Sequence, residues 1–292
     1  ANMGEMDNKG VDANLEYQTR IGNKVGLRLF GNLTYSKNKI VFRDEPAMQY
    51  AYQKSEGTRY GEFYGYIAEG YFQSEEEIKK SPRQMRELAP GDIKYKDLND
   101  DGVIDANDQC YLGKSWFPSW SYGMGFNINY HNFDLALFFQ GVSDVSIMAN
   151  GGSIDTGNGD WGASGVGIVP FTGMGLNPSN VITKALDRWT ADNPRADAWY
   201  PRMTANATTN DNNYVNSTHW LKDGSYLRLK QASLGYTLEN KKLMDKGIEY
   251  LYFYLSGQNL LTFSKFKLWD PELGSNGAKL SLIHISEPTR PY

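Results

Sequence analysis

Between Trp120 and Gln140 the chain alternates apolar with polar or small residues. Tyr122, Met124, Phe126, Ile128 and Tyr130 are interleaved with Gly123, Gly125, Asn127 and Asn129. After a two-residue turn at His131-Asn132, Phe133, Leu135, Leu137 and Phe139 are interleaved with Asp134, Ala136 and Gln140; Phe138 alone breaks the polar row. Successive strand side chains point to opposite faces, so the pattern predicts a hairpin with one apolar and one polar face. Each arm has about the ten residues a tilted strand needs to cross a bilayer. Aromatic residues stand at the arm ends, where a membrane interface favours them. A transmembrane β-barrel and a soluble antiparallel sheet with one wet face both satisfy this hairpin.

The same rhythm recurs. Val11, Ala13, Leu15 and Tyr17 alternate weakly, a tight connection follows at 21–24, and Val25, Leu27, Leu29, Leu33 and Tyr35 share a face opposite Arg28, Asn32, Thr34 and Ser36. Two further strands, Tyr226 to Leu238 and Tyr250 to Leu261, flank a turn near 240–247. Within the first, Leu227 and Leu229 change phase to Ala232, Leu234 and Tyr236, which predicts a bulge. Three short connections thus alternate with two very long ones, roughly 38–119 and 142–218. Short turns on one rim and long loops on the other are how outer-membrane barrels are built. Loops of that length are otherwise unusual in a compact domain. The predicted class is therefore all-β: a partial transmembrane antiparallel β-barrel with long extracellular loops.

Inside the loops, Ser74 with Glu77 reads as a capping box opening a short helix that ends before Pro82. Asn177-Pro178 opens a second expected helix, with Ile182, Leu186 and Trp189 on one face and Asn193-Pro194 at its end.

Composition narrows the reading. The chain has 292 residues with 30 Gly, 20 Tyr and 7 Trp, and a mean hydropathy of −0.57. No apolar run is long enough for a membrane helix, which leaves a barrel open because its strands are half polar. A net charge of −4 provides no basic footprint for nucleic acid. The single cysteine, Cys110, excludes an intrachain disulfide and argues against a thiolate zinc site. Ala1-Asn2-Met3-Gly4 shows no signal peptide and reads as an opening in mid-domain, so the chain is expected to be a fragment. Residues 1–279 are assigned to the barrel. Residues 280–292, with prolines at 288 and 291, look like a non-native tail from sequencing-adapter read-through.

Asp97, Asn99, Asp101, Val103, Asp105 and Asp108 occupy positions 1, 3, 5, 7, 9 and 12 of a D-x-N-x-D-G loop, with Gly102 at the sharp turn. Val103 would contribute its backbone carbonyl. This spacing suits a structural Ca²⁺; an Asx-rich turn satisfying its own amides is the competing reading. The loop aromatics Trp116, Trp120, Trp161, Trp189, Trp199, Trp220, Tyr64, Tyr66 and Tyr111 could stack on sugar rings, or pack within the loops and line the interface. No carboxylate pair, Ser-His-Asp set, zinc pattern or phosphate-binding glycine loop stands out, so no catalytic group is expected.

Several stretches resemble one family. Gly91-Asp92-Ile93-Lys94-Tyr95-Lys96-Asp97 through Ile104-Asp105 is similar to a signature of the SusC/RagA family of TonB-dependent outer-membrane transporters in Bacteroidetes. Phe63-Tyr64-Gly65-Tyr66, Gly70-Tyr71-Phe72-Gln73, Asp187-Arg188-Trp189-Thr190, Tyr226-Leu227-Arg228-Leu229-Lys230, Leu255-Ser256-Gly257-Gln258-Asn259-Leu260 and Trp269-Asp270-Pro271-Glu272 agree in order, covering about residues 10–278. The resemblance implies a twenty-two-stranded barrel of which this chain supplies C-terminal strands. It also implies a SusD-like surface lipoprotein as partner, energy from TonB-ExbB-ExbD acting through parts not present here, and import of an oligosaccharide or peptide. The expected location is the cell outer membrane, in contact with its lipid. As an expectation, Asn127, Asn129, Asp134 and Gln140 on the lumen side meet cargo together with the loops. A secreted glycan-binding or glycoside-processing β protein with a calcium loop, and an adhesin or autotransporter barrel, are the alternatives.

Overall fold

In the computed structural model, which describes residues 4–22, 24–150, 183–203 and 211–274, the alternating segments lie side by side. In chain order the strands are β1 (Gly4–Ile21), β2 (Val25–Arg43), β3 (Glu62–Gly65), β4 (Ala68–Tyr71), β5 (Ile93–Tyr95), β6 (Cys110–Ser115), β7 (Trp120–Tyr130), β8 (Phe133–Ser143), β9 (Ser146–Met148), β10 (Leu221–Asp223), β11 (Tyr226–Leu238) and β12 (Leu251–Ser264). Two short helices, α1 (Glu75–Lys80) and α2 (Lys241–Met244), complete the regular structure that positions the site. Six strands form one sheet in the order β1-β2-β7-β8-β11-β12. All neighbours are antiparallel. This sheet is the wall of a partial barrel.

Register carries the one-dimensional pattern across the wall. Tyr17 stands opposite Leu29, Leu29 opposite Phe126, Phe126 opposite Leu137 and Leu137 opposite Ala232. One rung along, Leu15, Gly31, Met124, Phe139, Leu229 and Leu261 form an unbroken row. On the other side, Thr19, Leu27, Ile128, Leu135, Leu234 and Leu255 form a third. A slip of one residue in any strand would turn its apolar set to the other face. The rows stay apolar through β11 because the register shifts between Leu229 and Gln231. Against β8 the extra residue is Lys230, the bulge the phase change predicts; against β12 the extra residue lies on β12, between Gln258 and Leu261. Much of this face is open among the described residues: Leu15 is 75% and Leu255 76% exposed on the outer strands and Met124 47% in the middle, while Leu229, in the row with Met124, is covered at 8%. A continuous apolar sheet face of this extent marks a surface made for a non-aqueous neighbour.

Both strands of the first hairpin are longer than their apolar alternation suggests, because ladder hydrogen bonds do not depend on apolar side chains. The short connections 22–24, 131–132 and 239–250 lie at one end of the wall, the long ones 44–119 and 144–225 at the other, as expected from their order. His131 takes a positive φ of 52° in its two-residue turn, the left-handed backbone such hairpins demand. No helix among the described residues is long and apolar enough to cross a membrane.

The described parts of the long connections are folded rather than open. β3 pairs with β6, β4 with β5 and β9 with β10. Their side chains share one core that includes Phe63, Tyr66, Tyr71, Ile93, Tyr95, Ile104, Ile147, Trp189, Tyr200, Tyr214 and Trp220. We refer to this unit as the cap. Helix α1 forms as expected, with the Ser74 hydroxyl accepting from Glu77 N at 3.2 Å; the Glu77 carboxylate reaches back to Gln73 N. The second expected helix does not appear where residues are described. Thr183–Leu186 is a single 3₁₀ turn, and Leu186 is 76% exposed while Trp189 is 5% exposed, so the two share no face. Backbone bonds from Trp189 N to Tyr200 O and from Tyr200 N to Asp187 O replace helical ones. Asn177, Pro178 and Ile182, with Trp161 and the tail 280–292, lie outside the described residues.

Candidate functional site

The acidic loop hangs between β5 and β6. All six expected ligand residues fall in it, and the structure brings the side-chain oxygens of five, all but Val103, onto backbone amides. Asp97 accepts from Asp100 N at 2.7 Å and from Gly102 N at 2.8 Å. Asn99 accepts from Asp101 N, Asp101 from Val103 N and Asp105 from Asn107 N. Asp108, fully buried, accepts from Leu98 N at 2.8 Å and Asp105 N at 2.9 Å and so staples the loop shut. Positive φ at Asp100 (59°) and Gly102 (81°) makes the turn. These are hard oxygen donors of the kind Ca²⁺ takes. Among the described residues, however, no three His, Cys, Asp or Glu side chains converge as a metal would require. The geometry drawn here is that of an Asx-rich turn. The loop rests on Tyr52, whose hydroxyl donates to Asn107 O at 2.8 Å. Burial and the nearby Asp108 push that phenol up to about 12.

The two halves of the cap meet at a buried polar cluster. Asp92 is fully buried and takes both Arg202 Nε (3.0 Å) and Nη2 (2.8 Å), Asn213 Nδ2 (2.8 Å) and Ala89 N (2.8 Å). Asn213 in turn accepts from Ile93 N, and Gln84 accepts from Tyr95 N while donating to Ile93 O and Asn212 Oδ1. Residues more than a hundred positions apart are tied by these buried polar groups, the kind of network that, when satisfied, specifies one structure. Gly91, with φ 92°, has no room for a Cβ because the Trp189 ring lies there.

Next to the cluster Trp220 is fully buried among Trp199, Tyr200, Tyr214 and His219, with centroids 4.7 to 5.8 Å away. Its indole donates to Asn213 O at 2.7 Å. Burial pushes His219 down to about 3, so its ring is neutral at ordinary pH. Lys222 donates to His219 O at 2.6 Å and lies over the Trp199 ring; burial pulls it down to about 8.

These positions decide between two readings of the aromatics. Trp189, Trp220 and Tyr66 are core residues, closed to a sugar. Trp199, Tyr64 and Tyr111 are partly buried, and Trp116 (50%) and Trp120 (37%) are the exposed tryptophans of that set among the described residues.

On the polar face of the wall, Asn129 stands opposite Asp134, and Gln140 opposite Arg228. The four expected lumen residues therefore share the face but spread along it. Asp134 accepts from the Tyr252 hydroxyl at 3.0 Å. Phe138, the one apolar residue in the polar row, stacks on Phe30 at 6.1 Å across Gly125, where a Cβ would collide with the Phe30 ring. Sequence reasoning did not single out Arg228, which is 5% exposed, pairs with Asp270 and with Glu272 (2.9 Å), and ties the segment after β12 to the wall. Phe266 and Trp269 of that segment join the cap core. The signal was available in Arg228 and Lys230 facing Asp270 and Glu272, charges 42 positions apart that only tertiary structure pairs.

No family model matches the chain. It is similar to two TonB-dependent receptors of Formosa agariphila, 27% identical over 93% of this chain and 28% identical over 98% of it. The chain spans about a quarter of the length of these relatives, 26% and 27%. Among solved structures it resembles the RagAB peptide importer in a closed-closed state, with TM-score 0.64 and 21% identity over 94% of this chain and 28% of that one. A second RagAB peptide transporter structure agrees at TM-score 0.64 and 20% identity, with the same shares covered.

Proposed function

We propose that this chain, whose sequence resembles TonB-dependent receptors over nearly its whole length and whose fold is that of part of the RagAB barrel, is wall and cap of an outer-membrane importer of the SusC/RagA type. The observation that carries the reading is the row from Leu15 to Leu261 across all six strands, with apolar rows on either side of it, joined to a folded cap at the long-loop end only. Lipid is the solvent such a face needs; the four inner strands, paired on both sides, meet the bilayer's demand that backbone groups be satisfied, while β1 and β12 present edges that further barrel strands would pair.

In this reading the wall and cap bind and guide cargo; they carry out no chemistry. The cargo is an oligosaccharide or a peptide. The partly buried and exposed cap aromatics support the first by offering stacking faces, and the name of the RagAB importer supports the second. A SusD-like surface lipoprotein is the partner that would close over the cap, and TonB-ExbB-ExbD the energy source. The polar row Asn127, Asn129, Asp134 and Gln140 then faces the lumen. Residues 1–279 belong to the barrel and 280–292 do not. Fractionation of the intact protein tests the reading: it is expected in the outer-membrane pellet and soluble only with detergent. Recovery in buffer without detergent would favour the secreted β protein.

A separable proposal concerns the loop. Asp97, Asn99, Asp101, Asp105 and Asp108, with the Val103 carbonyl, are proposed to take a Ca²⁺ by turning carboxylates from backbone amides to the ion. The ligand spacing and the crowding of like charges support it. Calorimetric titration of the intact protein with Ca²⁺ is expected to release or absorb heat that Asp97→Ala/Asp101→Ala removes. No heat at millimolar ion would leave the loop as a self-capped turn.

A further inference from the structure

Above the apolar rows, β2 continues in unbroken register with β1: Val11 opposite Tyr35, Lys9 opposite Lys37 and Asp7 opposite Lys39. Alternation places 35, 37 and 39 on the face of Leu29 and Leu33, and 36, 38 and 40 on the other. Burial agrees, since Lys37 and Lys39 are exposed, Asn38 is partly buried and Ile40 is buried under the cap. The outward face therefore changes within one rung from rings to ammonium groups. The Tyr35 ring lies 4.4 Å from that of Trp120, and immediately beyond it Lys9 and Lys37 oppose each other. Like charges directly across a ladder repel. Asp7, opposite Lys39, is one carboxylate against three ammonium groups; the next acid on β1, Glu5, lies past a register shift.

Apolar rows, then a ring pair, then cations is the order in which a bilayer surface presents its own chemistry: acyl chains, the ester level, then phosphates. Lysine suits the top of this stack, because its stem lies along apolar surface while its ammonium reaches the phosphate level. We propose that Lys9, Lys37 and Lys39, above Tyr35 and Trp120, form a docking site for the phosphate-bearing headgroup of an outer-leaflet lipid. The proposal rests on the reading that the apolar face lies in lipid. The site would fix the wall's height in the membrane and hold an anionic lipid beside the base of the cap. The repulsion between Lys9 and Lys37, which Asp7 one rung away offsets only in part, is then relieved by the ligand.

The test uses the intact protein in nanodiscs of phosphatidylcholine with a minor share of phosphatidylglycerol, and native mass spectrometry of the lipid it retains on transfer to detergent. The protein is expected to retain phosphatidylglycerol preferentially. Lys9→Gln/Lys37→Gln/Lys39→Gln is expected to lose roughly fivefold in that preference for each charge removed. The corresponding triple arginine variant is expected to keep it. Equal retention by the glutamine variant, or displacement of the lipid by inorganic phosphate alone, would overturn the site. Brominated acyl chains separate this failure from that of the wider reading. If they quench Trp120 while lipid preference is absent, only the docking site falls; if Trp120 is not quenched at all, the membrane placement falls with it.

Discussion

Replacing Asp92 by alanine is expected to loosen the cap by about 3–5 kcal/mol, the usual cost of removing one partner from a buried, hydrogen-bonded ion pair. Asp92 is fully buried and its two oxygens accept four donors. Its loss takes these bonds from Arg202 and Asn213. Arg202 is partly exposed, with 27% of its side chain accessible, so water recovers some of its interaction and the lower end of the range is expected. The Asn213 Nδ2, fully buried, is left with a longer bond of 3.3 Å to Arg202 O. Because the cluster joins segments from both long connections, the effect should reach both. Amide hydrogen exchange is expected to accelerate across 89–95 and across 211–220 together, with the paired strands of the wall unaffected. Asp92→Asn, which keeps the shape and part of the bonding, should fall between. Faster exchange in only one of the two segments would show that Asp92 does not clamp them.

The wall was far more legible in the sequence than the cap, and the reason is physical. A strand with one face in lipid and one in a polar lumen writes its environment every second residue. Phe126, Leu137 and Leu135 could therefore be placed on a face before any partner strand was known. Even the bulge after Leu229 was visible, because a face must stay apolar through a register shift and the sequence has to change phase there. The cap offers no such period. Its strands are three to six residues long, too short for alternation to declare itself, and its core is built from aromatics whose exposed and buried versions look alike in one dimension. Trp189 and Trp220 could stack on a ligand or fill a core, and only burial decides for the core. The expected helix at 177–193 shows the same limit. Leu186 and Trp189 have helical spacing, but pairing of Trp189 and Tyr200 backbones outcompetes the local preference where residues are described.

The acidic loop is an intermediate case. Spacing put Asp97, Asn99, Asp101, Asp105 and Asp108 in one turn, and they are in one turn. Spacing could not say whether their oxygens face an ion or the chain's own amides, because both uses need short oxygen-bearing side chains around Gly102. In the sequence Asp92 stands out only as part of a family signature; its role as a clamp depends on Arg202 and Asn213, more than a hundred residues away.

The second large effect concerns the wall. Leu137 lies midway along β8, flanked across the ladder by Phe126 and Ala232 on the apolar face. Its neighbour Ala136 points to the polar face, flanked by Asn127 and Ser233. An arginine near the bilayer midplane costs about 2–4 kcal/mol on the lipid side of a barrel, while lumen substitutions change selectivity more than stability. Leu137→Arg is thus expected to destabilise the folded barrel by that amount, and Ala136→Arg to do so much less. In a water-soluble protein the order would differ: an arginine on an open sheet face costs little, and one on a face covered by another layer costs most.

The pair is most informative when folding into lipid is measured directly. Urea titration of the intact protein in bilayers, followed by the shift in migration between folded and unfolded forms, reads the two free energies side by side. The account predicts a deficit of about 2–4 kcal/mol for Leu137→Arg against a small change for Ala136→Arg. Equal deficits, or a larger one at Ala136, would contradict the placement of these strands with their apolar rows in the membrane.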